Sequence, residues 1–281
     1  MSEEEQKRSE PELREQQIAV PQTSNLDIFI DDLLIFSKKR NKFIIFSIAI
    51  ISVLTLLIYS NIYDNSRHFD DDFIFLNNDV HNPSDVMKVF QINPFRFITF
   101  YSFSLNYAFS GDKLFSYYLI NVLIHIVNSI LIFLIAVSIF ETPKLANTNF
   151  ARYKMLYSLA IALIFATHPL QTQSVTYIYQ RLNSLGAFFY FTSVFLYIRF
   201  RLSDKKFLRK SWILLLSLVA VLFGLFSKEN TFTLPFVFVL LEITLLNKKF
   251  TVNIIYIFLA LVIVAFGVAL FFLFQIPERV F

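Results

Sequence analysis

YYLINVLIHIVNSILIFLIAVSIF, residues 117–140, carries no Asp, Glu, Lys or Arg over its whole length. As a helix rising about 1.5 Å per residue it covers roughly 36 Å, more than the ~30 Å hydrocarbon layer of a bilayer. Six further stretches read the same way: 43–62, 155–167, 178–200, 212–226, 232–246 and 252–274. Those at 155–167, 212–226 and 232–246 are short, as expected of helices that end beneath the membrane surface around a cavity. The sequence therefore predicts an all-α integral membrane protein with about seven transmembrane helices.

Composition agrees, with 56% hydrophobic residues and a mean hydropathy of +0.58, which a soluble domain of this length does not need. There is no Cys, so disulfides, thiolate metal sites and cysteine nucleophiles are excluded. The net charge of +4 does not argue for nucleic-acid binding; its distribution matters more. Residues 1–42 read as a cytoplasmic tail. The first twenty-five are polar and expected to be disordered, without the apolar core of a secretory signal, and DIFIDDLLIF (27–36) is a short amphipathic candidate. Residues 43–281 form the transmembrane domain.

The positive-inside rule orients the chain. With a cytoplasmic N-terminus, the cytoplasmic connections hold Lys38, Lys39, Arg40, Lys42, Lys144, Arg152, Lys154, Arg199, Arg201, Lys205, Lys206, Arg209, Lys210, Lys248 and Lys249. The opposite side holds Arg67, Lys88, Arg96, Lys113, Arg181, Lys228 and Arg279. Fifteen against seven, with every cytoplasmic connection contributing, puts the long loop 63–116 outside the cytoplasm. Within it, FRFITFYSFSLNYAF (95–109) mixes aromatics with Ser, Thr and Asn and predicts an interfacial helix.

Polar groups collect on that outer side. Asp70, Asp71 and Asp72 are adjacent carboxylates whose mutual repulsion raises at least one pKa. They read either as a solvated acidic turn or as a general base or cation holder. His68 and His81 nearby read as solvated histidines before metal ligands. Asn121, His125 and Asn128 share one helical face, which serves interhelical hydrogen bonds or a site. In ATHPLQTQSVTYIYQR (166–181), His168-Pro169 ends a helix, and Arg181 either snorkels or binds an anion. In SKEN (227–230), Lys228 and Glu229 either neutralise each other or mark a turn. Glu242 lies about a turn from the cytoplasmic end of its span, which softens its cost there.

Several of these blocks together resemble the multi-spanning O-mannosyltransferases that carry tetratricopeptide repeats, and their bacterial relatives. FDDDFIFLNNDV (69–80) is similar to the first-loop block, in which paired Asp is followed by Asn. FRFITFYSFSLNYAFSG (95–111) and YYLINVLIHIVNSILIFL (117–134) are similar to the FRP, LNY and N-x-x-x-H pattern. FATHPLQTQSVTYIYQRLNSLGAFF (165–189) and SKENTFTLPFVFVLLE (227–242) are similar to the HP and KE–TLP blocks. Departures are Phe97 for the usual Pro, Gln171 and Gln173 after HP, and Leu182-Asn183 where an acidic residue usually follows Arg181.

The resemblance implies a glycosyltransferase C fold, with no repeats in this chain. It also implies a polyprenyl- or dolichyl-phosphate sugar donor and an acceptor that is a protein hydroxyl or a glycan. Asp70 and Asp71 then supply the base, Arg181 and Lys228 face the donor phosphate, and Arg96, His168, Glu229, Asn121 and His125 complete the substrate set. No metal ligand is assigned, and a divalent cation stays open. A cytoplasmic N-terminus without a signal fits the bacterial inner membrane ahead of the endoplasmic reticulum. The competing readings are an inactive or truncated accessory and a transporter or lipid-binding scaffold.

Overall fold

The computed structural model describes residues 35–62, 65–204, 207–246 and 267. The chain divides into two compact units, Met1–Phe43 and Ile44–Phe281. In the first, the rings of Phe36 and Phe43 lie 5.7 Å apart. The second holds the elements that follow, beginning with the part of the first helix beyond Phe43. Among the described residues there is no strand.

The helices are α1 (Arg40–Ile58), α2 (Asp71–Leu76), α3 (Asn78–His81), α4 (Val86–Ile92) and α5 (Phe97–Ser110), then α6 (Leu114–Phe140), α7 (Lys154–Thr167) and α8 (Thr172–Thr176). They end with α9 (Arg181–Arg201), α10 (Phe207–Leu225) and α11 (Leu234–Leu241), the last continued by a π-helical turn, Glu242–Leu246. Among the described residues four helical segments are long and apolar enough to cross a membrane: Arg40–Ile58, Leu114–Phe140, Asn149–Thr167 and Glu229–Leu246. Two of them reach that length because 3-10 turns, Asn149–Tyr153 and Glu229–Thr233, precede α7 and α11. The apolar part of α10, Lys210–Leu225, is shorter, and α9 is long but too polar along its length to qualify. The seventh expected crossing, 252–274, lies outside the described residues except for residue 267, and the disordered tail expected at 1–25 lies outside them entirely.

The stretch expected as a long external loop is folded. It forms α2 to α5 and buries Ile74, Phe75, Val80, Val89, Phe100 and Phe103 against Tyr117, Tyr118 and Val122 at the start of α6. Burying such side chains stabilises the cap by roughly 1.5–3 kcal/mol each. Helix α5 matches the aromatic stretch expected to be helical. A second core joins α9, α10 and α11 through Val194, Tyr197, Ile198, Val221, Leu225 and Phe238. Helix α6 packs against α7 and α9, and α9 against α10. Ile45, Val53 and Leu57 on α1, Ile164 on α7 and Phe236 on α11 stay exposed, as side chains facing lipid do, because hydrocarbon contact replaces the burial that water would demand.

Charge organises the C-terminal end of α9. Arg201 Nη2 donates to Glu242 Oε2 at 2.9 Å, its Nε also pairs with that carboxylate, and the Tyr197 hydroxyl donates to Glu242 at 2.7 Å. Glu141, just after α6, takes Lys154 at 3.0 Å and Arg199 at 3.0 Å. Glu242 is only 1% exposed; its charge is held by partners rather than by closeness to water. Arg201→Ala should therefore lower stability by roughly 3–5 kcal/mol, because it strands a buried carboxylate. Lys88→Ala, which breaks the exposed pair with Asp85, should cost under about 1 kcal/mol; thermal unfolding in detergent ranks the two.

Candidate functional site

The three carboxylates of the DDD run sit in three different environments. Phe69, just before them, is 91% exposed and has φ of +46°, a left-handed conformation that non-glycine residues adopt at a cost. Asp70 follows, exposed, with its backbone N–H donating to the Tyr177 hydroxyl at 2.9 Å. Asp71 is fully buried. Its Oδ2 accepts from the His68 N–H at 3.0 Å and its Oδ1 from the Tyr179 N–H at 2.8 Å. Asp72 points back to Arg67 at 3.5 Å.

One carboxyl of the run is indeed pushed up, and it is Asp71. The cause is burial, opposed by the His68 and Tyr179 backbone donors, rather than the repulsion expected from its neighbours. Asp71 thus staples the turn at 68–71 onto the segment 177–179 and leaves Asp70 facing outward.

Tyr179 continues the chain of contacts. Its hydroxyl lies beside Arg96, and Arg96 Nε donates to Glu229 Oε1 at 2.9 Å. So Glu229 pairs across 133 positions of sequence and not with its neighbour Lys228. Burial works against the Arg96 charge, but the Glu229 carboxylate and the Tyr179 hydroxyl together more than offset it and hold Arg96 above its ordinary value. The two segments are also sewn together by backbone: the Ile98 N–H donates to the Phe226 carbonyl at 2.9 Å and the Thr99 hydroxyl to the Ser227 carbonyl at 3.2 Å. Burial and the nearby Arg96 push the Lys228 ammonium below its ordinary range, with Glu229 opposing. Among the described residues no carboxylate forms an ion pair with Lys228.

Arg181 is wholly buried. Its Nε donates to Asn121 Oδ1 at 2.8 Å, and its Nη2 donates to Asn106 Oδ1 at 2.9 Å and the Tyr117 carbonyl at 3.2 Å. Its Nη1 reaches the Ser102 carbonyl at 3.4 Å, and the Phe103 ring lies 4.3 Å from the guanidinium carbon. Helices α5, α6 and α9 thus meet at one side chain. Asn121 also reaches toward the carbonyls of Val175 and Tyr177 at 3.4 Å each. His125 meets the Ala166 carbonyl at 3.0 Å, and Asn128 donates to the Ser184 carbonyl at 2.8 Å. All three polar residues of the α6 face engage backbone of other elements.

His168 is exposed and its Nδ1 accepts from the Leu170 N–H at 3.2 Å, capping the turn Pro169–Gln171. His81 stacks on Tyr107 with ring centres 3.7 Å apart. Among the described residues no group of three His, Asp or Glu side chains is arranged to hold a metal ion.

The fold therefore brings Asp71, Arg96 and Glu229 into one network through Tyr179, with Asp70 and Lys228 adjoining it, and seats Arg181 and Asn121 in a separate clamp. Tyr177, Tyr179 and Asn106 escaped the sequence reading. Between α9 and the segment 228–231 lies a cavity of about 270 Å³, lined by Gln171, Ser174, Asn183, Tyr190, Lys228 and Asn230 among others.

Such a chain is a membrane-type helical protein with a polar site at one end. It is similar to the human protein named Protein O-mannosyl-transferase TMTC3, 27% identical over an alignment of 185 residues that covers 61% of this chain and 19% of the relative. The mouse protein of the same name is 26% identical over the same number of residues. The chain thus spans about a fifth of the length of the curated relatives it matches. The distant similarity supports an O-mannosyltransferase-like family. No family model matches the chain, and no solved structure matches it.

Two substitutions separate clamp from staple. Arg181→Lys replaces a planar five-donor fork by a compact ammonium and should destabilise by at least about 2 kcal/mol, since several charge-assisted bonds are lost. Asp71→Asn turns an N–H donor toward one of the two backbone N–H groups and should cost about 1–3 kcal/mol. Thermal unfolding in detergent checks both; an Arg181→Lys midpoint equal to that of the unaltered protein refutes the clamp.

Proposed function

We propose that this chain is a membrane glycosyltransferase that moves a sugar from a polyprenyl-phosphate donor to an acceptor hydroxyl, a protein hydroxyl for choice, on the non-cytoplasmic face. The observation that carries the reading is Asp70, an exposed carboxylate on a turn that Asp71 staples to the segment 177–179, whose Tyr179 hydroxyl lies beside the Arg96–Glu229 pair. Asp70 takes the acceptor proton as the acceptor oxygen attacks the anomeric carbon. The bond from that carbon to the phosphate oxygen breaks, and the phosphate leaves with the electron pair. Lys228 and Arg96 stabilise its growing charge. Asp71 positions the base. Arg181, whose donors are spent on α5 and α6, supports the start of α9 from within.

The architecture we read is of glycosyltransferase C type, with about seven crossings in the bacterial inner membrane and α5 at the outer interface. Helix α9 serves as the fourth crossing although it is polar. Between Arg181 and Arg199 it carries no charged residue, and its 21 residues cover about 32 Å at ~1.5 Å each.

A transfer assay on the full chain in lipid, with a panel of polyprenyl-phosphate sugars, tests the chemistry. Asp70→Asn should lower turnover about 10²–10⁴-fold with unfolding unchanged; undiminished transfer in that variant removes the base. Topology has its own test, because the chain has no Cys. A single cysteine at Ser84 should react with an impermeant maleimide from outside intact cells, whereas one at Asn147 should react only after lysis. The reverse pattern inverts the orientation and with it the sidedness of the site.

A further inference from the structure

Phe75, Phe100 and Phe103 hold the folded first loop together from inside. Phe69 does the reverse: its ring is 91% exposed and its φ is +46°. Among the described residues no other non-glycine has a positive φ. Such a conformation persists only where its surroundings over-determine it, and here they do. The Asp71 carboxylate takes the His68 and Tyr179 N–H groups, the Asp71 N–H donates to the His68 carbonyl at 3.0 Å, and the Asp70 N–H donates to the Tyr177 hydroxyl. Phe69 is the apex of this clamped turn, and among the described residues no hydrogen bond reaches its own N–H or carbonyl. Glycine would fit the apex without strain. A phenyl ring there adds strain and exposed apolar surface in return for one edge contact, to Tyr177.

That contact fixes the ring relative to the exposed Asp70. The Tyr177 hydroxyl meets both the Asp70 N–H and the Asp70 side chain, and the Phe69 ring stands edge-on to the same tyrosine with centres 6.1 Å apart. From Tyr177 the rings continue to Tyr179 at 6.4 Å and on to Phe73 at 6.3 Å. An aromatic row thus leads from Phe69 to the tyrosine beside the Arg96–Glu229 pair. The charge around Phe69 argues against lipid as its cover. Residues 67–72 hold three carboxylates and one guanidinium, which anionic head groups repel and hydrocarbon does not accept. A polypeptide suits the turn better: it brings a backbone donor and acceptor per residue for the open groups of Phe69, and side chains for its ring.

We infer that Phe69 selects the acceptor: it grips an apolar side chain of a polypeptide within two residues of the Ser or Thr hydroxyl that reaches Asp70. Neighbouring Cα atoms lie about 3.8 Å apart and an extended peptide advances about 3.3 Å per residue, so ring and carboxylate match positions one or two residues apart on the acceptor. An acidic side chain at the gripped position meets Asp70 and Asp72 instead, a discrimination by repulsion. The inference rests on the glycosyltransferase reading for what happens to the hydroxyl; the peptide contact itself rests on Phe69 and its turn.

The test uses the full chain in phosphatidylcholine nanodiscs and short peptides with one Thr and one variable residue one or two positions from it. With benzoylphenylalanine as the variable residue, irradiation should label the turn around Phe69, located by mass spectrometry, with no sugar donor present. Unlabelled peptides with Phe or Leu there should compete at least about 10-fold better than the peptide with Glu. Phe69→Ala and Phe69→Gly should each cut labelling at least about 10-fold, and Phe69→Leu less than about 3-fold. Phe69→Gly relieves strain, so it should not lower the thermal midpoint by more than about 3 °C; a larger fall makes the ring part of the fold and overturns the inference. Phe69→Cys should react with a charged maleimide within about 3-fold of the rate for Ser84→Cys, and no reaction places the ring in lipid and overturns it too. Equal competition by the Glu peptide or by maltotriose, or full labelling in Phe69→Ala, likewise overturns it. Selective labelling without sugar transfer from any lipid-linked donor keeps the peptide contact and removes the enzyme reading. Transfer whose kcat/KM ignores the variable residue keeps the enzyme and removes the inference.

Discussion

The structure of the second unit hangs on a guanidinium that has hydrogen bonds on every nitrogen and no carboxylate among the described residues to balance it. Arg181 enters from the first turn of α9 and is answered by Asn106 and Ser102 of α5 and by Asn121 and Tyr117 of α6. Removing such a charge from water is expensive unless its donors are met. The geometry that meets them requires the folded first loop, the long α6 and the start of α9 to share one level. Asn121 then carries the same constraint to 175–178, which sets the segment where Asp70 and Asp71 dock.

From that level outward, polar residues act in pairs that are remote in sequence. Asp71 binds backbone at Tyr179, Arg96 binds Glu229, and the carbonyls of Phe226 and Ser227 receive Ile98 and Thr99. Each contact ties the first loop to a later connection on the same side. At the other end of α9, Arg199 and Arg201 repeat the device with Glu141 and Glu242. A helix with arginines at both termini and uncharged residues between them is thereby fastened at two levels. The apolar exterior of α1, α7 and α11 can stay featureless because orientation is set from within.

Much of this was legible in advance. The helices at 43–62, 117–140, 155–167 and 232–246 follow from long apolar runs, because a backbone in hydrocarbon must satisfy its own hydrogen bonds. The aromatic stretch 95–109 was readable as a helix for its mixture of Phe, Tyr and small polar residues. The polar face of Asn121, His125 and Asn128 was visible from spacing alone, though whether it served packing or a ligand was open. The stretch expected as an external loop was the weakest point. Its core depends on Val80, Val89 and Phe103 finding Tyr117 and Val122, contacts that no local periodicity announces.

Sequence by itself determined the apolar helices, their order, and the gathering of Asp, His, Arg and Lys on connections between them, since hydropathy and charge are local quantities. Tertiary structure alone decided which charges meet. It turned Glu229 from Lys228 to Arg96, buried Asp71 while leaving Asp70 exposed, enclosed Arg181, and gave Glu242 its partner in Arg201. The reason is that pairing energy depends on distance and local dielectric, which folding sets and composition does not.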